Sequence, residues 1–412
     1  MTATSPAPRA FNPDELNSKG LGAKLIRAFI DNPQWFFAIL RRVKPILKVG
    51  DFAFVSRYDD VAEVLRADKA FGVPFGPKIE ALNDGPNFLL GMADGPDYRA
   101  LRDKVARIFP QEELASRVAP IAAQAAESAV AAAGGRIDGI EGLVTHVPIR
   151  VCEDYYGVTP PDRVAFGQWT IAMSTFMFGD PGDNPTIRQV ALAAGDHLRP
   201  VVDAALARAK AGGSPGTIAE RLVGEPDMPD EIARAILIGM ITGFVPTNTM
   251  AAGHMLDMLL RRPDFLEAAE VAAQSDDDPA LTRVLFEAFR FKPLNPGPFR
   301  SCLVDHEIAA GTPRATTIKA GTKLLAGTQS AMFDPRRVPD PKAFNPDRAS
   351  SDYMLFGFGL HWCIGARLAE AQITQTFKAI LKRGGLRREA GRAGRMQRLG
   401  PFPAHLWVRY DA

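Results

Sequence analysis

A cysteine set among glycines and aromatic residues is the strongest chemical signal in this sequence. The run FGFGLHWCIG (residues 356–365) leads directly into a helical pattern over residues 365–383, so Cys363 stands at the predicted start of a helix. Free backbone N–H groups and the positive end of the helix dipole stabilise an anion there, which favours a thiolate. Glycines in the run let the backbone approach a flat partner closely. The pattern predicts a loop that cradles a thiolate.

Four roles are open to this cysteine. A buried structural cysteine is the commonest one, because free cysteine is among the most buried residue types. A structural zinc site needs four Cys or His ligands at short spacing, and only His361 lies near. A cysteine nucleophile needs a base, and no cysteine-hydrolase signature surrounds Cys363. The fourth role is a thiolate ligand of haem iron, which pushes electron density onto the metal and favours O–O cleavage.

The cysteine loop resembles the signature F-G-x-G-x-H-x-C-x-G of the cytochromes P-450, the haem-thiolate monooxygenases, at every fixed position. Two further motifs follow in that family's order, Glu287-Ala-Phe-Arg290 and Phe344-Asn-Pro-Asp-Arg348. The resemblance implies haem b as the cofactor, with Cys363 as the ligand of its iron. It also implies that Glu287, Arg290 and Arg348 form a buried structural network behind the cysteine loop.

Haem carries two propionates, which require cations or hydroxyls from different parts of the chain. The resemblance assigns this task to side chains of three segments. One of them departs from the bacterial pattern, because Tyr98 stands where a histidine is usual. The residues expected to contact the cofactor are Tyr98, Arg102, Arg300, Phe356, His361, Cys363 and Gly365.

The long apolar helix predicted over residues 230–262 departs further from the family. Members usually carry A-G-x-[D/E]-T there, whose acid and alcohol relay protons to bound oxygen in an apolar pocket. In this sequence Val245 and Pro246 occupy those two positions. The candidate catalytic side chains are therefore Thr247, ranked first, and Asn248. The alternative is that both simply bond to preceding carbonyls of the helix.

The resemblance implies a monooxygenase that inserts one oxygen atom of O₂ into a hydrophobic small molecule. No flavin or ferredoxin segment is recognised in the sequence, so we expect electrons from a ferredoxin or flavodoxin-type donor with its reductase. The Val245-Pro246 pair leaves a second activity open, a peroxide-dependent peroxygenase or a hydroperoxide isomerase or dehydratase.

By the same resemblance, the substrate pocket is lined by apolar and aromatic side chains, which suit a hydrophobic substrate held by shape. Taken singly, each of these residues is more often plain core than a ligand contact. The expected lining is Phe75, Phe88, Met173, Phe176, Phe244, Val245, Leu294, Phe299 and Phe402.

Helical periodicity dominates the rest of the chain, and short β-branched or aromatic segments between Gly and Pro turns suggest a small sheet. We predict a mainly α fold with a small β subdomain, as one domain over residues 1–412 with a poorly ordered segment at 1–20. The predicted helices are 59–67, 97–108, 112–133, 161–177, 185–210, 230–262, 278–291 and 365–383; the predicted strands are 52–55, 302–308, 323–327 and 405–408.

The composition of the chain limits the class of protein, the partners and the compartment that we expect. The 412 residues are 46% hydrophobic and 23% charged, as in ordinary folded proteins. Lys plus Arg (49) nearly cancels Asp plus Glu (47), so neither nucleic acid nor a membrane is expected as a partner. Three scattered cysteines and a polar, proline-broken start favour a reducing, cytoplasmic setting. The apolar stretch over 232–260 contains Arg234, His254 and Asp257, which favours a core helix over a membrane span.

Overall fold

Helices make up most of the chain in the computed structural model, which describes residues 9–17 and 33–412. A mainly α fold with small sheets is thus confirmed. The helices are α1 (Gln34–Val43), α2 (Tyr58–Arg66), α3 (Gly76–Asn83), α4 (Pro96–Ile108), α5 (Ala119–Ala133), α6 (His146–Val151), α7 (Arg163–Ser174), α8 (Pro185–Lys210), α9 (Ile218–Gly224), α10 (Asp230–Leu259), α11 (Pro263–Gln274), α12 (Asp278–Phe291), α13 (Thr328–Ala331) and α14 (Ala366–Leu381).

Twelve short strands form four sheets within the described residues. The largest has the order β1-β2-β8-β5-β3; β2 and β8 run parallel, and its other pairs are antiparallel. The strands are β1 (Ile46–Val49), β2 (Phe52–Val55), β3 (Phe71–Gly72), β4 (Arg136–Asp138), β5 (Phe299–Cys302), β6 (His306–Ile308), β7 (Thr316–Ile318), β8 (Lys323–Ala326), β9 (Arg387–Arg388), β10 (Gln397–Leu399), β11 (Phe402–His405) and β12 (Trp407–Arg409).

Helix α10 crosses the core and is buried on nearly all sides. Acidic Asp230 and Glu231 in its first turn favour the helix start, where the dipole is positive. By length and composition α10 could cross a membrane, but 83% of its most apolar window is buried inside the protein. A helix that is apolar all round needs such burial, so α10 is a core helix. The helix continues through Pro246.

The N-terminal segment differs from expectation where it is described. Residues 1–8 and 18–20 of the segment expected to be poorly ordered lie outside the described residues. Residues 13–16 form a short 3₁₀ helix, in which the Asn12 side chain accepts a hydrogen bond from the Asp14 amide at 3.2 Å. Leu16 is buried, and the Asn17 amide oxygen accepts a hydrogen bond from the Gly400 amide at 3.0 Å. Burial of Leu16 therefore anchors this part of the segment.

A buried carboxylate joins α12 to the segment that leads to the cysteine loop. Glu287 accepts two bonds from Arg290, at 2.7 and 2.8 Å, and one from Arg348 Nε at 3.1 Å. The Tyr353 hydroxyl donates to Glu287 Oε2 at 2.9 Å, and the Asn345 amide donates to Oε1 at 3.0 Å. Glu287 and Arg290 have no solvent-exposed side-chain surface.

The remaining guanidinium donors of this network bind backbone carbonyls. Arg290 donates to the carbonyls of Met332, Pro341 and Ala343, at 3.3, 2.8 and 3.2 Å. Arg348 donates to Ala343 at 2.8 Å, and also to the carbonyls of Pro339 and Asp340. Because the region has little regular structure, these bonds determine where the chain runs before it reaches Cys363.

Removing one partner from this network should destabilise the fold strongly. For Arg290→Ala we expect the free energy of unfolding to fall by about 3–5 kcal/mol, because Glu287 loses its bidentate partner while buried. Urea denaturation followed by circular dichroism measures the change. Arg283→Ala is the matched control on α12: Arg283 is half exposed, 3.4 Å from Asp347, and its removal should cost about 0–1 kcal/mol.

Similar losses for the two variants would contradict this account. If Arg290→Ala does not fold, Tyr353→Phe provides the milder test. It removes one hydrogen bond to the carboxylate and should cost about 1.5–3 kcal/mol.

Candidate active site

The cysteine loop is held by its own backbone and by a close approach to α2. The Cys363 amide donates to the Phe356 carbonyl at 2.9 Å, and the Trp362 amide donates to Gly359 at 3.1 Å. Gly359 has φ +74°, and a Cβ on it would overlap the carbonyl oxygen of Leu65. Only glycine satisfies both demands at this position.

Cys363 faces an internal cavity, which accounts for its exposed surface although protein atoms surround the sulfur closely. Burial raises the pKa of the Cys363 thiol; the Gly365 N–H and the positive charge of Arg102 oppose this effect. The N–H at the helix start therefore lowers the pKa as expected, but the net shift is opposite to the expected one. Helix α14 begins at Ala366, three residues beyond the sulfur, and desolvation outweighs its field.

The cavity lies between α10, α12, α14 and the cysteine loop. Its walls are predominantly apolar. Of the expected pocket residues, the structure places Phe88, Met173, Phe244 and Leu294 in this wall. The expected Phe356, His361 and Gly365 also line it, as do Tyr98, Arg102, Thr247 and Asn248.

Five expected pocket residues do not line this cavity. Phe75 and Phe299 line an adjoining one, together with Arg300 and His361. The other three, Phe176, Val245 and Phe402, line neither. The Phe176 ring packs against the Lys78 ammonium at 4.4 Å, Val245 is fully buried beside Phe244 on α10, and Phe402 pairs with Leu399 in a sheet. Adjacent helix residues point about 100° apart, so Phe244 and Val245 cannot share a face.

Cationic and polar side chains gather at one end of the cavities. Arg300 is 4% exposed, and its Nε is buried without a partner. Burial lowers the Arg300 pKa to about 10. Burial, and then the charges of Arg300 and Arg102, lower the pKa of His361 to about 4. An anion between these groups would offset the burial and the mutual repulsion, so the residues fit the carboxylates of a bound cofactor.

Tyr98 acts on the cysteine loop through its hydroxyl. The hydroxyl donates to the Leu360 carbonyl at 3.1 Å and accepts from Arg102 Nη1 at 2.8 Å. Arg102 also donates to Leu360, at 3.2 Å. In this structure Tyr98 thus joins α4 to the loop and orients Arg102.

The two candidate catalytic residues, Thr247 and Asn248, differ in which of their hydrogen-bonding atoms lack a partner. The Thr247 hydroxyl donates to the Gly243 carbonyl at 2.5 Å. The Asn248 amide nitrogen donates to the Phe244 carbonyl at 2.7 Å, whereas its Oδ1 is buried without a partner. The hydrogen bond to the preceding turn of the helix therefore uses the hydroxyl proton of Thr247, whereas Asn248 keeps a hydrogen-bond acceptor without a partner.

Among the cavity residues that the sequence reasoning did not name, Tyr156 carries a polar group without a partner. Tyr156 is fully buried, lines the cavity 5.7 Å from the Phe244 ring, and has a hydroxyl without a partner. Its neighbour Tyr155 instead donates to Glu113 at 2.5 Å. No local signal separates two adjacent tyrosines, because only the packing of helices determines which ring reaches the cavity.

The side chains around the cavity suit a metal cofactor in which an organic ring already supplies most of the metal's ligands. Among residues 9–17 and 33–412, no three His, Cys, Asp or Glu side chains form a metal cluster. A single thiolate would suffice for haem iron, because the porphyrin nitrogens supply most of the other ligands. Cys363, the apolar walls and the cations at one end together fit haem b.

Comparisons with known proteins agree with this fit. The family model described as Cytochrome P-450 matches residues 228–386. The monooxygenase PikC of Streptomyces venezuelae is 30% identical over 380 residues, covering 88% of this chain and 86% of that protein. The haem domain of a Tepidiphilus thermophilus P-450 superposes with a TM-score of 0.77 at 20% identity, covering 97% and 96% of the two chains.

A shorter match concerns a protein with a different activity. The bifunctional dioxygenase and epoxy alcohol synthase of Pyricularia oryzae is 30% identical over 112 residues, which are 27% of this chain and 10% of that protein. From the cavity, its donor set and the similarity to PikC, we conclude that the chain belongs to the cytochrome P-450 family, binds haem b and is an oxidoreductase of the monooxygenase type.

Proposed function

We propose that this enzyme inserts one oxygen atom of O₂ into a hydrophobic small molecule, with electrons from a separate ferredoxin or flavodoxin-type donor and its reductase. The observation that carries the proposal is the cavity itself, in which Cys363 faces a predominantly apolar space. Such a space excludes water and binds its ligand mainly by shape.

Cys363 would supply the thiolate that binds the haem iron, and the bound haem would supply the oxygen-activating chemistry. Arg102, Arg300 and His361 hold the propionates, and the unpartnered Arg300 Nε is the donor that most needs such an acceptor. Phe356 and Gly365 frame the sulfur, and the Gly365 N–H donates a hydrogen bond to it.

In this proposal the apolar wall of the cavity binds the substrate. Phe88, Met173, Phe244 and Leu294 come from four separate segments of the chain, so they surround the space rather than forming one flat face. Burying the apolar surface of a substrate against them contributes about 25 cal/mol per Å². A compact hydrophobic molecule satisfies this wall, whereas a charged molecule would lose its hydration without compensation.

Proton delivery relies on Asn248 more than on Thr247. Asn248 lines the cavity, and its buried Oδ1 has no partner, so it is an acceptor that a hydrogen of a water molecule would satisfy. The Thr247 oxygen can also accept, but its proton is directed at Gly243. A water held at these atoms provides the proton source that the usual acid and alcohol provide elsewhere in the family.

A second activity is favoured by the residues at 245 and 246. Val245 and Pro246 carry no proton to relay, and a peroxide or a substrate hydroperoxide reaches the reactive state without electron transfer from a partner. The partial similarity to the epoxy alcohol synthase of Pyricularia oryzae supports this possibility. In this second activity the enzyme would be a peroxygenase, or a hydroperoxide isomerase or dehydratase.

The choice of oxidant is tested with a panel of apolar compounds. One arm contains a surrogate ferredoxin, its reductase and O₂; the other contains only hydrogen peroxide, with a third arm of fatty-acid hydroperoxides. We expect products in the electron-fed arm, identified by mass spectrometry. Products confined to the peroxide or hydroperoxide arms would replace the first proposal with the second.

The ligand assignment is tested by Cys363→Ala. We expect this variant to lose the thiolate signature in the absorption spectrum of the reduced carbon-monoxide complex, because no other cysteine lines the cavity among the described residues. Cys302→Ala is the matched control: Cys302 is buried and bonds the Val304 carbonyl at 3.0 Å. A wild-type spectrum for Cys363→Ala would refute the assignment.

The proton-delivery role is tested by comparing Asn248→Ala with Thr247→Val. We expect kcat with O₂ to fall at least about tenfold in Asn248→Ala. Thr247→Val should change kcat less than about threefold, because the proton of this hydroxyl is already bonded within the helix. Product formed per O₂ consumed is the readout. A larger loss in Thr247→Val would restore Thr247 to the first rank.

A further inference from the structure

Helix α1 presents three large apolar side chains to solvent. Trp35, Ile39 and Val43 are 61%, 55% and 76% exposed, and they follow one another at intervals of four residues. Residues at this spacing lie within about 80° of one another around a helix, so they form a continuous apolar stripe. Phe37 and Leu40 on the other side are buried, so the fold already uses the inner face of α1. We call Trp35, Ile39 and Val43 the α1 stripe.

A basic groove adjoins the α1 stripe, and Trp35 belongs to both. The groove lies between α1, the end of α10, the end of α12 and the loop before β10. Its lining contains one acidic residue, Asp257, and seven basic ones: Arg41, Arg261, Lys292, Lys342, Arg388, Arg395 and Arg398.

Asp257 neutralises only a small part of this charge. Its buried carboxylate accepts from Arg388 at 2.7 Å and lies 3.1 Å from both Lys292 and Arg261. These cations hold the pKa of Asp257 well below its usual range, against the effect of burial. Three positive charges thus share one negative charge.

Some other cations of the groove form no ion pair with an acid among the described residues, although the charge of Asp334 raises the pKa of Arg41 against the effect of burial. Arg41 donates to the carbonyl and hydroxyl of Ser330, both neutral, at 3.2 and 2.8 Å. Within the described part of the chain, Lys342 and Arg395 are exposed and no carboxylate pairs with either. The groove therefore carries a strong excess of positive charge, which the net charge of +2 conceals because it averages over the whole chain.

We propose that the α1 stripe and the basic groove together bind the surface of an anionic lipid bilayer. Trp35 would lie at the level of the headgroups, Ile39 and Val43 would enter the acyl boundary, and lipid phosphates would meet the cations of the groove. Tryptophan and basic residues beside an aliphatic face are the combination that suits this interface. The contact is peripheral, and α10 remains in the protein core.

A second copy of the chain is a poorer occupant of this face. Pairing two stripes across a two-fold axis would bring two positively charged grooves together, and like charges at an interface oppose association. A bilayer supplies apolar and anionic groups over one continuous surface. It would also place the enzyme where hydrophobic molecules accumulate, although the binding itself does not depend on the proposed function.

The test is co-sedimentation of the haem-loaded protein with vesicles. One set contains equal parts of phosphatidylglycerol and phosphatidylcholine, and the other phosphatidylcholine alone. We expect at least about tenfold stronger partitioning to the anionic set, weakening as salt rises, because each basic residue near the surface contributes about fivefold. The absorption spectrum of each variant shows whether its fold and its haem are retained.

Two double variants separate the apolar and ionic contributions. Ile39→Gln with Val43→Gln should lower partitioning at least about fivefold. Lys342→Gln with Arg395→Gln should lower it at least about tenfold and flatten its salt dependence. Val271→Gln is the matched control, because Val271 is 61% exposed on α11, outside the α1 stripe and the groove, and partitioning should not change.

Three results would overturn the proposal. The first is equal partitioning to both vesicle sets. The second is an equal loss in Val271→Gln, which would indicate nonspecific adsorption. The third is loss of binding only in the Lys342→Gln, Arg395→Gln variant, which would assign the groove to a soluble acidic partner and leave the α1 stripe without a role.

Discussion

The Glu287 carboxylate is the interaction on which the rest of the site depends. An unpaired charge cannot remain inside a protein at acceptable cost, so Glu287, Arg290 and Arg348 must find one another and the carbonyls around them. Those carbonyls belong to residues 332–343, which have little helix or strand to define their path. The network thereby directs the chain towards Tyr353 and, beyond it, the cysteine loop.

The cavity is divided by polarity, and this division determines what each end can hold. At one end, Arg300 is buried with its Nε unpartnered, and burial, followed by the charges of Arg300 and Arg102, lowers the pKa of His361. The carboxylates of a cofactor relieve both. Elsewhere the walls are apolar, and the buried polar atoms without partners are Asn248 Oδ1 and the Tyr156 hydroxyl.

The substitutions at 245 and 246 change the chemistry of α10 without interrupting the helix. Hydroxyls and amides after Pro246 bond to carbonyls one turn earlier, as Thr247, Asn248 and Thr249 do. This self-bonding uses donors that a proton relay would need, so the helix offers acceptors rather than protons. At the surface, the basic groove beside α1 contains more cations than acids among the described residues.

Local patterns determined much of this protein. The eight predicted helices and the cysteine loop follow from apolar periodicity, caps and glycine positions, which act over a few residues. Helices α1, α3, α6, α9, α11 and α13 were not predicted; most of them are short, and short helices form mainly against the surfaces on which they pack. Only the tertiary structure decided which side chains face the cavity: Phe244 lines it and its neighbour Val245 does not, and Tyr156 lines it while Tyr155 bonds Glu113. It also reversed the expected direction of the Cys363 pKa shift, because desolvation depends on atoms brought from distant parts of the chain.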